Sequence, residues 1–431
     1  MSLTVIAYKG SGIKSAEKFF LRPAFSDKAE AVAGKILADI RKKGLSAVLK
    51  YAKAFDGSDL PSGSVRVTEA EIAKADLAVD VAFRKAVAET KKRVSDFALA
   101  GKKKNWSLKK KGRGLVGERF TALDRVGVYI PGGAAPLAST VLMTVPIAVV
   151  AGVKEIVACT PCRKDGTVNP YLLYALKASG ATEIYKVGGV QAIGLMAYGA
   201  GKVRKVQKIV GPGGTFVTAA KRLVYGDVAL DLVAGPSEIA VLADSSADPD
   251  FIAADLLSQA EHGTGWEKAL LVTDSSRTAR LAIAAVESLA KQRSRYEAIK
   301  KVMAKGMLVV LVKNIAEAAA LCNKFAPEHL EIITKSPLKV LPLIKCAGAI
   351  FLGQWTPEPA GDFVAGPSHV LPTGGAATMF SGLTVDDFMR RSSVIMFSKE
   401  DLKKALPVIE VFGRVEGLDA HAESAKIRFR K

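Results

Sequence analysis

DRVGVYIPGG, residues 124–133, decides how the rest of this chain is read. Val126, Val128 and Ile130 are β-branched, and the run stops at Pro131-Gly132-Gly133, so it reads as a strand closed by a tight turn. The phrase then repeats downstream. Helix-like residues 139–151 lead to the strand KEIVACT, and residues 170–179 lead to EIYKVGG. Residues 191–198 lead to KVQKIVGPGG, with a further helix at 216–224. Strands alternating with helices of this length signal βαβ units and a mostly parallel sheet. Each of these strands ends in Gly or a short turn, as suits loops at the carboxyl edge of a sheet, where such folds bind ligands.

A second alternating stretch follows. EIAVLAD, a helix over 249–262, ALLVTD, a helix over 276–305, LVVLV, a helix over 315–324, LEIIT and AGAIFLG continue the pattern. Upstream, the first 120 residues read mostly as helices, with apolar periodicity near 3.6 over 26–55 and 68–99. After Leu383 the chain reads as short helices with charged faces. The fold class is therefore α/β with parallel-rich sheets. The pentapeptide VAGPS occurs at 233–237 and 364–368 and reads as two similar tight turns.

Composition narrows the class. The chain has 431 residues, 62 Lys plus Arg against 42 Asp plus Glu, a net charge of +20, and only four Cys and four His. Four Cys exclude a disulfide scaffold and fit a reducing compartment. The longest apolar stretch, 140–153, is about fourteen residues and contains Pro146, too short for a membrane span. The first 21 residues carry Lys9, Lys14, Glu17 and Lys18 without an apolar core, so no secretory signal is read and a cytoplasmic protein is expected. The densest basic run, GKKKNWSLKKKGRG at 101–114, holds one aromatic residue, Trp106, and no acid. A nucleic-acid site would carry several aromatics or a known module, so a solvated surface is favoured.

The candidates for chemistry surround the four histidines. Gln259 and His262 are three apart near the end of a helix that Asp248 caps and Pro249 opens. An amide oxygen and an imidazole nitrogen so placed can share a metal or ligand; a histidine at a helix C-terminus also complements the dipole without any ligand. Pro327 ends the preceding helix. Glu328 and His329 then begin a strand-like run on opposite sides, an adjacent carboxylate and imidazole suited to proton transfer or to solvation alike. Asp362 and His369 lie in PEPAGDFVAGPSHVLPTGG, a Pro- and Gly-rich loop of the rigid kind that often carries sites. His421 follows Glu416 by five near the chain end and reads alone as part of a solvated helix. The pair Cys159–Cys162 has CxxC spacing but no second ligand pair, which favours small buried hydrophobes. No GxGxxG or GxxxxGK[ST] occurs. Instead YIPGG, VGGVQ and VGPGG bring three glycine-rich strand ends into one sheet, turns that let backbone approach a phosphate.

Taken together, VGVYIPGGAAPLASTVLM, VGGVQAIGLMAYG, KIVGPGGTFVTAAKR, AGPSE, DLLSQAEHG, APEHLEI, AGDFVAGPSHVLPT and GLDAHAESAKIRFR resemble the histidinol dehydrogenases, over nearly the whole chain. The resemblance implies NAD-dependent oxidation of L-histidinol, through the aldehyde, to L-histidine, the final step of histidine biosynthesis. It implies zinc held by Gln259, His262, Asp362 and His421, and an acid–base pair of Glu328 and His329. It implies substrate contacts at Ser237, Gln259, His262, His329, Asp362, His369, Glu416 and His421, and NAD contacts at Tyr129, Gln191 and Gly214. Oxygen and nitrogen ligands without Cys suit a catalytic zinc.

The implied architecture is two incomplete Rossmann-like domains, 26–128 with 239–383 and 129–238, a small module of 1–25 with 384–409, and a C-terminal module, 410–431. In such intertwined homodimers the last module gives Glu416 and His421 to the partner's site. Two positions depart from the family pattern. Gly214 stands where an Asn usually touches NAD, which removes a hydrogen bond worth on the order of 1 kcal/mol. The run GTGWEKALLV after His262 also differs from the usual acidic-polar one. The alternative reading is a related zinc- and NAD-dependent dehydrogenase of another polar alcohol.

Overall fold

A computed structural model describes residues 3, 5–22, 26–132, 136–232, 235–262 and 265–430. Two parallel sheets and one antiparallel sheet organise them. The first parallel sheet runs, edge to edge, Glu183–Tyr185, Glu155–Cys159, Arg125–Tyr129, Lys208–Val210, Ala229–Leu230. Its chain order is three-two-one-four-five, the doubly wound order, and it reverses between Arg125–Tyr129 and Lys208–Val210.

Alternate residues of each strand serve alternate layers. Val126, Val128, Ile156 and Ala158 face a core shared with the helices Glu69–Ala78, Val81–Gly101 and Pro170–Ser179. Tyr129, Val157 and Cys159 face the other way, against Asp27–Lys43, Leu45–Phe55 and Gly189–Tyr198.

The second parallel sheet runs Val5–Ala7, Met307–Leu311, Lys268–Thr273, Glu238–Ala243, His329–Ile333, Ala349–Leu352. Its order reverses between Glu238–Ala243 and His329–Ile333. Ile239, Val241 and Leu271 pack under Pro249–Ala260 and Ser276–Ala290, while Ala240, Leu242, Leu330 and Ile332 pack under Ile315–Phe325. Strands buried on both faces carry nearly continuous apolar runs, as parallel strands do.

Several elements differ from the sequence reading. The helix expected over 26–55 breaks at Gly44, whose φ of 59° lies in the left-handed region that favours glycine. The one over 68–99 breaks before Asp80, whose side chain caps a new helix by accepting from Phe83 N–H. Residues 276–305 form two helices, Ser276–Ala290 and Tyr296–Lys305. The basic run is not helical: Trp106–Lys110 and Gly114–Ala122 form a hairpin, and Met389–Met396 pairs antiparallel with its second strand. The lysines therefore lie on and beside an exposed edge strand, where they discourage pairing with another chain. The helices of 26–128 cover both faces of the five-stranded sheet, where their apolar stripes match its two faces, and Val370 and Leu383 join one of those cores.

The chain passes from Ala229–Leu230 almost directly into Glu238–Ala243. This sets the carboxyl edge of the five-stranded sheet against the amino edge of the six-stranded one. Contacts across the crevice include Ser368 Oγ to the Met143 carbonyl at 2.8 Å.

Candidate active site

The helix Ile315–Phe325 ends where Ala326 turns into the left-handed region, at φ 47°, the one non-glycine residue with positive φ among the described residues. Such a residue is strained by roughly 1–2 kcal/mol. The turn redirects the chain through Pro327 so that Glu328 and His329 enter the strand at its amino end. His329 pairs there with Ile239 and Ala349.

The peptide of Glu238 grips both residues. Its N–H donates to Glu328 Oε2 at 2.9 Å, and its carbonyl lies 3.1 Å from His329 Nδ1. Gln259 Oε1 lies 3.2 Å from the same nitrogen. Both neighbours of Nδ1 are acceptors, so the hydrogen-bond network assigns it a proton, and Nε2 is the atom that gains or loses one. The expectation that Glu328 and His329 point to opposite sides is corrected. Strand alternation begins only at His329, and the Glu328 carboxylate comes within 3.7 Å of Nδ1.

Nε2 faces a wall of carboxylates. Asp362 Oδ1 is 3.5 Å away and Glu358 Oε1 4.0 Å away, both from the short helix Glu358–Phe363. Asp362 Oδ2 lies 3.7 Å from His369 Nδ1, and His369 Nε2 lies 3.4 Å from Thr140 Oγ1 across the crevice. Burial pushes Glu328 up to about 8, against the pull of His329. Burial also works to lower His329, but Glu328, Asp362 and Glu358 outweigh it and push the imidazole up to about 10. For Asp362 burial would raise the carboxyl; hydrogen bonding and charge from His329 and His369 hold it down to about 2.

Sequence reasoning did not single out four buried acids here. Glu358 accepts from Ser258 Oγ at 3.0 Å, and its own N–H donates to Glu331 at 2.7 Å. Glu331 shares a side-chain hydrogen bond with Asp255, and burial raises both. Glu238 forms an ion pair with Arg22 at 2.9 Å. The available signal was a carboxylate inside an otherwise apolar strand, EIAVLA or HLEII.

The proposed metal ligands divide. Gln259, at 0% exposure, and Asp362 stand in the cluster, and exposed His262 is close enough to feel the Asp362 charge. Gln259 Nε2 is buried with no hydrogen-bond partner among the described residues, while the buried His329 Nε2 and His369 Nδ1 meet Asp362 at 3.5 and 3.7 Å, longer than a good hydrogen bond. Unspent polar atoms of this kind, with nitrogen and oxygen donors only, suit a metal such as zinc. Ligand atoms of His329, Glu358 and Asp362 already lie within 4.8 Å of one another, a set that shares only Asp362 with the expected four. His421, on the helix Asp419–Lys426, and Glu416 are exposed, and no side-chain hydrogen bond or ion pair among the described residues joins them to the cluster. Ser237 is half-buried immediately before the strand Glu238–Ala243.

Tyr129, Gln191 and Gly214 mark the carboxyl edge of the five-stranded sheet, around its reversal point. Tyr129 Oη accepts from Gly189 N–H at 3.1 Å, and burial pushes its phenol up to about 12. Gln191 is buried and donates to Asp56 at 3.1 Å; Asp56 also accepts from Gly188 N–H. Gly214 is exposed and precedes the helix Thr215–Leu223 without a side-chain cap. Beneath that turn Lys221 Nζ donates to the Gly211 carbonyl at 2.8 Å, and Asp231 accepts from Gly211 N–H at 2.7 Å. Lys221 and Asp231 also pair with each other at 2.5 Å, both buried. Among the described residues no helix is long and apolar enough to cross a membrane.

Residues 22–429 match the family described as histidinol dehydrogenase. The chain is 42% identical over 417 residues to histidinol dehydrogenase of Heliobacterium mobile, covering 96% of this chain and 97% of that one. It is 41% identical over 428 residues to histidinol dehydrogenase of Lactococcus lactis, covering 99% of each. Its fold superposes on the crystal structure of histidinol dehydrogenase from Elizabethkingia anophelis with a TM-score of 0.94 at 32% identity, over 100% of this chain and 98% of that chain. This chain, with its crevice between two facing parallel sheets, therefore belongs to the histidinol dehydrogenase family.

Proposed function

We propose that the protein oxidises L-histidinol to L-histidine through L-histidinaldehyde, with NAD and one zinc ion per site. The observation that carries the reading is His329, gripped at Nδ1 by the Glu238 carbonyl and Gln259, with Nε2 turned to Asp362. An imidazole held this way takes a hydroxyl proton as hydride leaves the same carbon. NAD, when bound, accepts that hydride. Glu328, raised toward neutrality by burial, is a stronger base than a free carboxylate. It takes a proton from the water that attacks the aldehyde carbon, and His329 then takes the hydroxyl proton of the hydrate as the second hydride leaves.

Held by Gln259, His262, Asp362 and His421 of the partner subunit, zinc would supply a Lewis acid for substrate oxygen and nitrogen, and a charge that offsets the grip of Asp362 on the His329 proton. Ser237, His369 and Glu416 of the partner subunit would position the substrate. Tyr129, Gln191 and Gly214 would contact NAD. A homodimer is supported by the exposed apolar side chains Val408, Phe412 and Val415 on the helix Lys399–Val415 and Ile395 on the strand Met389–Met396. The free cysteines fit a cytoplasmic setting.

The test is NAD reduction with histidinol, with zinc measured on the same preparation. Two NADH per substrate, ending in histidine, is the expected result; a zinc-loaded dimer without turnover sinks the reading. Mixing inactive His329→Ala and His421→Ala subunits should restore activity, because one site of each mixed dimer is then intact.

A further inference from the structure

The Glu328–His329 pair stands on two supports. One is the Glu238 peptide, which bonds both residues. The other is the helix end at Phe325, from which the strained Ala326 turn sets out. A single guanidinium spans the two. Arg22 Nη1 lies 2.9 Å from Glu238 Oε2, while Nη2 donates to the Phe325 carbonyl. Its Cζ also sits 4.0 Å from the centre of the Phe325 ring, which Phe19 and Phe20 flank. The Arg22 side chain is only 8% exposed, and Gly375 leaves room for it: a Cβ there would come within 2.9 Å of Nη2.

This is a costly arrangement for a residue that merely fastened the amino-terminal segment. Phe19 and Phe20 already do that with apolar area, and the strand Val5–Ala7 does it with backbone pairing. A buried ion must be matched by well-placed partners to be tolerated at all. Both partners of Arg22 are the flanks of the acid–base pair. The planar guanidinium can reach two acceptors in fixed directions, which a lysine ammonium on a flexible stem does poorly.

We infer that Arg22 is a positioning residue for the reaction, tying the Glu238 strand to the Phe325 helix end so that Glu328 and His329 keep their geometry. The inference rests on the roles given above to those two residues. If those roles are wrong, His329→Ala turns over like wild type. If only the inference is wrong, His329→Ala loses turnover and the Arg22 variants behave otherwise than follows.

Arg22→Ala should lower kcat with both histidinol and histidinaldehyde by about tenfold or more, the scale of loss expected when a reacting group shifts slightly. KM for each substrate should stay within about twofold, since uniform binding is untouched, and zinc content should be unchanged. Added guanidinium ion at non-denaturing concentration should recover part of the lost kcat in Arg22→Ala and none in wild type. Arg22→Lys, which keeps the charge and favours folding, should show the same split with a smaller loss. The inference is overturned if kcat of either variant stays within twofold of wild type, if KM rises instead of kcat falling, or if guanidinium restores nothing. Should Arg22→Ala not fold, the kcat and KM of Arg22→Lys decide alone.

Discussion

Gly214→Asn should tighten the cofactor and stabilise the protein at once. Gly214 has φ −68° and ψ 175°, extended backbone open to any residue, and a Cβ there meets nothing within 4 Å. It is the N-cap of Thr215–Leu223, whose first N–H groups lack a side-chain acceptor. An Asn oxygen can accept one of them while its amino group stays free to donate to a ligand. Relative to Gly, an Asn cap adds a few tenths of a kcal/mol. The loss of glycine's freedom in the unfolded chain adds about 0.4–1 kcal/mol. Near 2.1 cal/mol/K per residue, an unfolding entropy for 431 residues is about 0.9 kcal/mol/K, so about 1 kcal/mol raises Tm by only about 1 °C. A new hydrogen bond to NAD worth about 1 kcal/mol lowers Kd about fivefold. Titration calorimetry with NAD in the absence of histidinol, beside differential scanning calorimetry, reads both. A raised Tm with an unchanged Kd would refute the cofactor argument; a lowered Tm would refute the cap.

Lys221→Met strands the Asp231 carboxylate in the interior and should cost about 3–5 kcal/mol in urea unfolding; Lys221→Met with Asp231→Leu should recover most of it. A cost under about 1 kcal/mol would show that the pair does not support the Gly211 turn. His329→Ala should keep zinc and lose about 10²–10⁴-fold in turnover. Glu328→Gln should slow histidinaldehyde oxidation more than the first step, and equal losses would count against the division of labour. Hydrogen bonding to Arg125 draws Glu183 down to about 2 from its usual 4.5. A depressed carboxyl stabilises the fold above its unfolded pKa, so this contribution is complete above pH 4.5 and lost as pH falls toward 2. Glu183→Gln should flatten that part of the urea-midpoint profile, and an unchanged acid limb would contradict it.

The parallel sheets were legible because strands buried on both faces must be apolar throughout, as EIAVLA and ALLVT are. The hairpin Trp106–Lys110 with Gly114–Ala122 was not, because most of its residues meet solvent and its first strand carries no buried face to impose alternation. Helix ends at Gly44 and Asp80 were hidden for a different reason: the apolar period continues across them, and only the backbone turn interrupts it. In the site, Glu328, His329, Asp362 and His369 could be picked out because each sits within two residues of Pro or Gly in an irregular segment. Arg22, Glu238 and Glu358 could not. Their significance lies in contacts across 216 and 29 positions, from Arg22 to Glu238 and from His329 to Glu358, which no local pattern encodes.

The facing of the two sheets also sets up an electric field. In a parallel sheet each crossover helix starts at the carboxyl edge and ends at the amino edge. Pro249–Ala260 and Ile315–Phe325 therefore bring their carbonyl ends to the wall that carries Gln259 and His329. Gly189–Tyr198 and Thr215–Leu223 present their N–H ends to the opposite wall. Each end carries roughly half an elementary charge. One side of the crevice thus favours cations and the other anions, separated by the gap itself. This polarity belongs to the backbone, so substitutions of individual contact residues leave it intact.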